Sequence, residues 1–409
     1  MIYQFHTLSN GIRIAHKQIR SNVSHLGVAI NSGTRDELEN ESGLAHFIEH
    51  TIFKGTTKRK SFQVLSRLEN VGGDLNAYTT KEETYFYASF LKSDYIRSAE
   101  LLSDILFNST FPEKELNNEK DVVIEEINSY KDSPSELIYD EFENQVFANH
   151  PMGRNILGTI KSVKKLNRNL ITQFINRTYT HDQIFISSVS NLSFEKVIYI
   201  LEKHFAINQQ TTRQYARTPF NNYNPTQKKI NLNSHQSHCL IGIPAYHLFE
   251  EKRIPFSLLN NVMGGPGMNT RLNIAIREKH GYAYTVESQF NPMTDTGLFT
   301  IYIGSDHSTI DKSIDLTYKE LHRIKTERLG TLQLSRAKKQ FFGQISLMNE
   351  SNQNEMLSMA KSGMYMNRID TMNDIYTKIN NITADDILNV ANEIIKEDQF
   401  STLIYTKVR

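Results

Sequence analysis

The chain has one cysteine, Cys239, and no tryptophan among its 409 residues. A single thiol excludes an internal disulfide and a thiolate metal cage. Neither sign of charge is in excess: 46 Lys and Arg stand against 45 Asp and Glu, for a net charge of +1. That balance offers no electrostatic attraction to nucleic acid or to a membrane. Long hydrophobic runs are missing too, and no segment approaches the roughly 20 apolar residues of a membrane span. Met1-Ile2-Tyr3-Gln4-Phe5-His6 lacks the basic region and apolar run of a secretory signal. These absences predict a cytoplasmic, soluble globular protein, long enough for two or more domains with full-sized cores.

What is present centres on Gly43-Leu44-Ala45-His46-Phe47-Ile48-Glu49-His50-Thr51-Ile52-Phe53-Lys54-Gly55. The stretch predicts one short helix, with Ser42 as N-cap, Gly55 as the C′ stop and no internal proline. His46 and His50, four residues apart, then share one helical face, and Glu49 borders it. Two neutral imidazoles at this spacing can hold one zinc ion, while a nearby carboxylate outside the ligand set can take a proton from water. The order His-x-x-Glu-His inverts the commoner zinc-protease helix motif. The competing reading is a pair of structural histidines, since 14 histidines can form such pairs by chance.

Around the motif, residues 2–7 and 12–17 alternate on either side of Ser9-Asn10-Gly11, a hairpin signal. Leu26 to Ile30 predicts a third strand, which a polar loop at 31–37 links to the motif helix. A helix over 61–70, a turn-to-strand stretch over 71–79 and an aromatic strand over 84–91 follow. Helices over 94–107 and 113–131 complete an α+β pattern, with strands in blocks rather than in strict βαβ alternation. The last helix has an apolar stripe of Leu116, Val123, Ile127 and Tyr130. At about 100° per residue, Glu126 lies roughly 60° from the centre of that stripe and Glu125 roughly 160° away. Glu125 therefore faces water, whereas Glu126 borders the buried side and Glu119 shares its flank. A partly buried carboxylate needs a partner, which a lysine or a metal can supply. Joined to His46 and His50, Glu126 would make the three-protein-ligand set of a catalytic zinc.

Here the chain resembles a known family. His46-Phe47-Ile48-Glu49-His50, a carboxylate 76 positions beyond His50, and Phe53-Lys54-Gly55-Thr56 are similar to the inverted-motif zinc peptidases. That family includes pitrilysin, insulin-degrading enzyme and the mitochondrial processing peptidase, and the resemblance is closest to its short, processing-peptidase-like bacterial members. It covers nearly the whole chain. It implies a Zn2+ cofactor held by His46, His50 and Glu126, with Glu49 as general base and Glu119 as a further carboxylate supporting the catalytic site. It also implies that Leu75-Asn76-Ala77-Tyr78-Thr79 is an edge strand to which an extended substrate adds, at Asn76 and Ala77.

Between about 206 and 228 the chain is polar, carries two prolines and reads as a linker. Beyond it lies a faint copy of the first half. A helix over 331–350 can be laid on 113–132, pairing Leu334 with Leu116 and Lys338 with Lys120. On that register Glu119 falls on Ala337 and Glu126 on Gln344, and no second His-x-x-Glu-His follows. An internal duplication in which one copy lost its metal is the physical reading. The glycines at 264–267 lack the Gly-Lys-Ser/Thr ending of a phosphate loop. Arg277 and Tyr284 match the arginine and tyrosine that the second half of these peptidases presents to substrate, and both side chains can donate to a developing oxyanion. From the residues alone they also read as a helix-end arginine and a core tyrosine.

The expectation is an α+β protein of two similar domains facing each other across a chamber. Residues 1–210 carry the zinc, 211–227 form the linker, and 228–409 form a metal-free copy. The activity implied is that of a zinc-dependent endopeptidase acting on extended or unfolded peptides, as a homodimer needing no unlike subunit. The rival is a non-catalytic, peptidase-like subunit that binds polypeptides or scaffolds a complex. A metal-dependent hydrolase of small molecules is a third reading, which would need neither the edge strand nor the second half.

Overall fold

The alternating runs at the start pair as a hairpin. β1 (Gln4–Thr7) lies antiparallel to β2 (Arg13–Gln18), with Gln4 opposite His16. Gly11, at φ +90°, supplies the left-handed residue that the turn requires. The structure, a computed structural model, describes residues 2–207 and 211–407. Residues 208–210, the expected end of the first domain, lie outside the described residues.

From the hairpin the chain passes through β3 (Val23–Ile30), α1 (Leu44–Thr51), α2 (Ser61–Glu69), β4 (Asp74–Thr79) and β5 (Thr84–Leu91). Then come α3 (Tyr95–Asn108), α4 (Glu113–Lys131), α5 (Pro134–Val146) and, later, β6 (Ile184–Ser190). The strands form one sheet in the order β1-β2-β6-β3-β5-β4, in which only β2 and β6 run parallel. The second sheet contains β7 (Gln227–Asn231), β8 (Ser237–Ala245), β9 (Ala283–Pro292), β10 (Gly297–Ser305) and β11 (Ser401–Thr406). Its order is β7-β11-β8-β10-β9, again with one parallel pair, β7 with β11. Strand for strand this repeats β2-β6-β3-β5-β4. The helix Thr331–Asn349 has the same 19-residue length as α4. The chain is therefore two similar α+β units.

Those units are not contiguous in sequence, in contrast to the boundaries expected at 210 and 228. One comprises Met1–Asn128, Arg154–Thr218 and Leu347–Thr371; the other comprises Ser129–Gly153, Pro219–Ser346 and Met372–Arg409. The physical reason is an exchange of helices. α5 packs on β8 and β11 through Ile138, Phe142 and Val146, although it follows α4 directly in sequence. The helix Asn352–Met366 packs on β3 and β6 through Met356, Met359 and Met364. β3 is consequently buried on both faces: Leu26, Val28 and Ile30 point into the main core of the first unit, and Ala29 meets the methionines. β8 repeats this, with Cys239, Ile241 and Ile243 on one side and Leu240 on the other. Each central strand has a glycine beneath its exchanged helix. A Cβ added at Gly27 would collide with the Met356 sulfur, and one at Gly242 with the Phe142 ring.

The expected linker is not a free tether. Its first residues, through Thr218, belong to the first unit, where the half-buried Arg217 packs against a loop that the sequence predicts only to be polar. Arg217 Nη2 lies 2.7 Å from Asp36 Oδ2, and the Tyr215 hydroxyl donates to Asp36 Oδ1 at 2.8 Å. Arg35 beside it pairs with Glu82 at 2.7 Å. Burial by itself would raise the Asp36 carboxyl, but Arg217 and Arg213 hold it below its usual value. Among the described residues, no helix is long and apolar enough to cross a membrane.

Taking away the Arg217 guanidinium deprives the buried Asp36 carboxylate of its nearest counter-charge, and breaking a buried pair costs about 3–5 kcal/mol. Arg217→Leu should therefore lower the urea midpoint markedly, as followed by far-UV circular dichroism. An unchanged midpoint would show that residues 211–218 contribute nothing to the stability of the first unit.

Candidate metal centre

α1 is anchored by Leu44, Ala45, Phe47 and Ile48, all fully buried. Its start differs from the expectation. The N-cap is Gly43 at φ +86°, not Ser42, and no side chain of the cap bonds the helix. The free N–H groups of Gly43 and Ala45 donate instead to the Glu37 carboxylate, at 3.1 and 2.9 Å. Burial pushes the Glu37 carboxyl up to about 8, against those two bonds and Arg154, which favour its ionised form. The helix ends at Thr51, ahead of Gly55, which pairs with Lys60 in an isolated bridge. α4 is anchored by Leu116, Val123 and Ile127, whereas Tyr130, expected in the same stripe, is exposed. Glu125 faces solvent, Glu126 is half-buried and Glu119 is buried.

The two helices bring one atom from each of His46, His50 and Glu126 within 4.8 Å of one another. Glu126 Oε2 is 3.7 Å from His46 Nε2 and 3.6 Å from His50 Nε2. Both separations exceed hydrogen-bond length, and Glu126 Oε2 is buried with no hydrogen-bond partner. Tetrahedral ligands at about 2.0–2.2 Å from one zinc ion stand about 3.3–3.6 Å apart. The donor set thus fits a single zinc ion, with Glu126 Oε2 at or just beyond the upper end of that spacing from both nitrogens.

A second carboxylate stands behind this trio. Glu119 Oε1 is 3.0 Å from His50 Nδ1, and Lys54 Nζ is 2.6 Å from Glu119 Oε2. A proton on Nδ1 leaves the Nε2 lone pair directed towards Glu126, the usual way in which an outer carboxylate orients a metal-binding imidazole. Burial would lower the His50 pKa, but the bond to Glu119 and the charges of Glu126 and Glu49 raise it. Burial and the neighbouring His50 push His46 down to about 3, so His46 stays neutral with its lone pair free. Burial would raise Glu119 as well; the bonds from His50 and Lys54 hold it low.

Glu49 lies beside the trio and outside it. Its Oε2 accepts a 2.6 Å hydrogen bond from Thr79 Oγ1. Burial raises its carboxyl above the ordinary value, opposed by Thr79 and His50 and reinforced by Glu126. Neither Thr79 nor Lys54 was assigned a role from the sequence, although Lys54, four residues after His50, had the right spacing to reach the same flank.

Asn76 and Ala77 sit on β4, opposite Tyr87 and Phe86, and both are half-buried. β4 is the last strand of its sheet, so its outer edge pairs with no strand among the described residues. Arg277 and Tyr284 belong to the other unit. Arg277 is exposed on the π-helical turn Asn273–Glu278. Tyr284, on β9, is 57% exposed, with its hydroxyl 3.3 Å from Asp306. It is not a core tyrosine.

Two family models match the chain: Insulinase (peptidase family M16) over residues 13–160, and the peptidase M16 inactive domain over residues 165–341. An uncharacterised zinc protease of Bacillus subtilis, YmxG, is 30% identical over 404 residues, spanning 98% of this chain and 97% of that protein. The mitochondrial-processing peptidase subunit beta of Dictyostelium discoideum is 28% identical over 403 residues, 96% of this chain and 86% of its own. Among solved structures, a protease from Helicobacter pylori superposes with a TM-score of 0.90 at 20% identity, covering 99% of both chains. A Pseudomonas fluorescens protein described as a peptidase M16 inactive domain reaches 0.93 at 18% identity, over 100% of this chain and 98% of that one. At those identities the likeness is one of fold.

Neighbouring carboxylates on α4 allow a clean comparison. Glu126→Gln should purify with little zinc, and Glu125→Gln with as much as the unaltered protein, as measured by elemental analysis. Equal zinc in the two variants would remove Glu126 from the ligand set. Glu119→Gln leaves the ligands in place but loosens His50, so zinc affinity should fall about 10–100-fold, read by competition with a chromogenic chelator.

Proposed function

Because the chain belongs to peptidase family M16, we propose that it is a zinc-dependent endopeptidase that hydrolyses extended or unfolded peptides. The observation that carries this reading is the unbonded Glu126 oxygen facing two imidazole nitrogens at 3.6 and 3.7 Å, with the Glu49 carboxylate beside them. When bound by His46, His50 and Glu126, zinc would supply a Lewis acid that polarises the scissile carbonyl and acidifies water.

The remaining work falls to side chains. Glu49 takes a proton from the attacking water and returns it to the leaving amine, a transfer suited to a carboxyl that burial has raised. Thr79 engages Glu49 Oε2 and leaves Oε1 to exchange the proton. Glu119 is a positioning residue: it holds His50 and is itself held by Lys54. The free edge of β4 offers backbone N–H and C=O groups, at Asn76 and Ala77, to an extended peptide that adds as a further strand. Arg277 and Tyr284, exposed donors on the second unit, are assigned to the carbonyl oxygen as it gains charge. That assignment rests on the family pattern.

Since all these residues lie in one chain, the active form proposed is a homodimer without an unlike subunit, in the cytoplasm. A non-catalytic polypeptide-binding subunit would have no use for a proton shuttle, whereas Glu49 is retained with all three candidate ligands.

A fluorogenic peptide assay, with and without chelator, tests the reading. Glu49→Gln should keep its zinc and bind peptide yet lose about 10²–10⁴-fold in turnover. Arg277→Ala should lose about 10²–10³-fold, as for other oxyanion donors. Ordinary turnover in Glu49→Gln would sink the mechanism, and ordinary turnover in Arg277→Ala would remove the second unit from the chemistry. Activity that appears only on adding a different polypeptide would overturn the proposal of self-sufficiency.

A further inference from the structure

The second unit contains a cavity of about 360 Å³, lined from the helices Arg253–Gly264 and Thr331–Asn349, from the segment 269–274 that follows the first, and by Leu329 before the second. In the repeated topology these helices correspond to α1 and α4, and Ala337 stands where α4 carries Glu119. The cavity therefore occupies the counterpart of the metal centre, in the copy that has no metal ligands.

It has not been filled with apolar side chains. Arg271, Arg336, Asn261, Thr270 and Gln333 line it, and none of its lining residues is acidic or a histidine. A cation site is thereby excluded. Arg271 Nη1 is buried with no hydrogen-bond partner. The nearest acidic groups, Glu320 and Glu327, act on Arg271 only at longer range. Both are engaged by Arg323, at 2.9 and 3.1 Å. Arg336, on the exposed side, is likewise in no ion pair among the described residues. A buried N–H group without an acceptor is destabilising, and a planar fork of donors suits a carboxylate or phosphate.

We propose that this cavity binds the oxyanion group of a small ligand, a carboxylate or a phosphate, with Arg271 Nη1 as its inner donor and the exposed Arg336 as the second cation. The site lies wholly within the second unit and is independent of the peptidase reading. Its volume exceeds that of a bare oxyanion, so the ligand carries an organic body or is the C-terminal residue of a peptide.

Thermal unfolding of the full-length protein distinguishes these sources. The probes are inorganic phosphate, acetate, and trialanine as free acid or amide, each compared with chloride at equal ionic strength. A ligand that binds only the folded state raises Tm with the logarithm of its concentration. A rise with phosphate alone identifies a phosphorylated ligand. A rise with acetate identifies a small carboxylate, and one with trialanine acid but neither acetate nor the amide identifies a peptide terminus.

In each case Arg271→Met should abolish the rise. In chloride it should match or exceed the unaltered Tm, because no partner of Arg271 is left stranded. Arg336→Gln, an exposed change that leaves the core intact, should raise the half-effective anion concentration several-fold. The proposal is overturned if no probe gives a rise that depends on Arg271, if Arg271→Met melts several degrees lower in chloride, or if Arg336→Gln leaves the anion response unaltered.

Discussion

A carboxylate oxygen with no hydrogen-bond partner lies 3.6 and 3.7 Å from two imidazole nitrogens at the edge of a core. Protein packing disfavours such a cluster unless something compensates its lost hydration. Much of the surrounding structure holds it in place. Four fully buried side chains root α1 in the core, and three more root α4. Glu37 reaches from the preceding loop to take the two N–H groups at the start of α1. Glu119 and Lys54 then settle which nitrogen of His50 is free. Each contact removes a degree of freedom that would otherwise let the three groups drift apart.

The same plan is executed twice, with different chemistry. Both sheets share a strand order with a single parallel pair between matching strands, and both bury the central strand on two faces. The second face is covered in each unit by a helix from the other half of the chain. Gly27 and Gly242 allow that approach, since any side chain there would strike the incoming helix. Neither half of the sequence thus contains the whole of its own unit. Where the first copy places imidazoles and carboxylates, the second has alanine, glutamine and unpaired arginines, so its cleft favours negative rather than positive charge.

Local periodicity made much of this legible. The fourfold spacing of His46 and His50 puts them together on any helix, whatever that helix packs against. The angular positions of Glu125 and Glu126 relative to the apolar stripe separated an exposed carboxylate from one near the core. Because a duplicated helix keeps its length, the pairing of α4 with Thr331–Asn349 could be proposed from faint similarity alone.

Other features depend on which distant segments meet. Ser42 had the right chemistry for a cap, yet Gly43 takes the position, because its positive φ excludes side chains and a Cβ there would run into the Leu157 carbonyl. The polar stretch 211–218 looked like a tether until Asp36, 181 residues earlier, proved to be the counter-charge of Arg217. Thr79 looked like the end of a strand until it met Glu49. The exchange of α5 and Asn352–Met366 left no local mark, because an amphipathic helix shows that it has a buried face and not whose sheet will bury it. Sequence alone therefore determined the helical faces and the donor atoms they carry. Tertiary structure decided the partners, since hydrogen bonds and buried charges are chosen by distance in space and not along the chain.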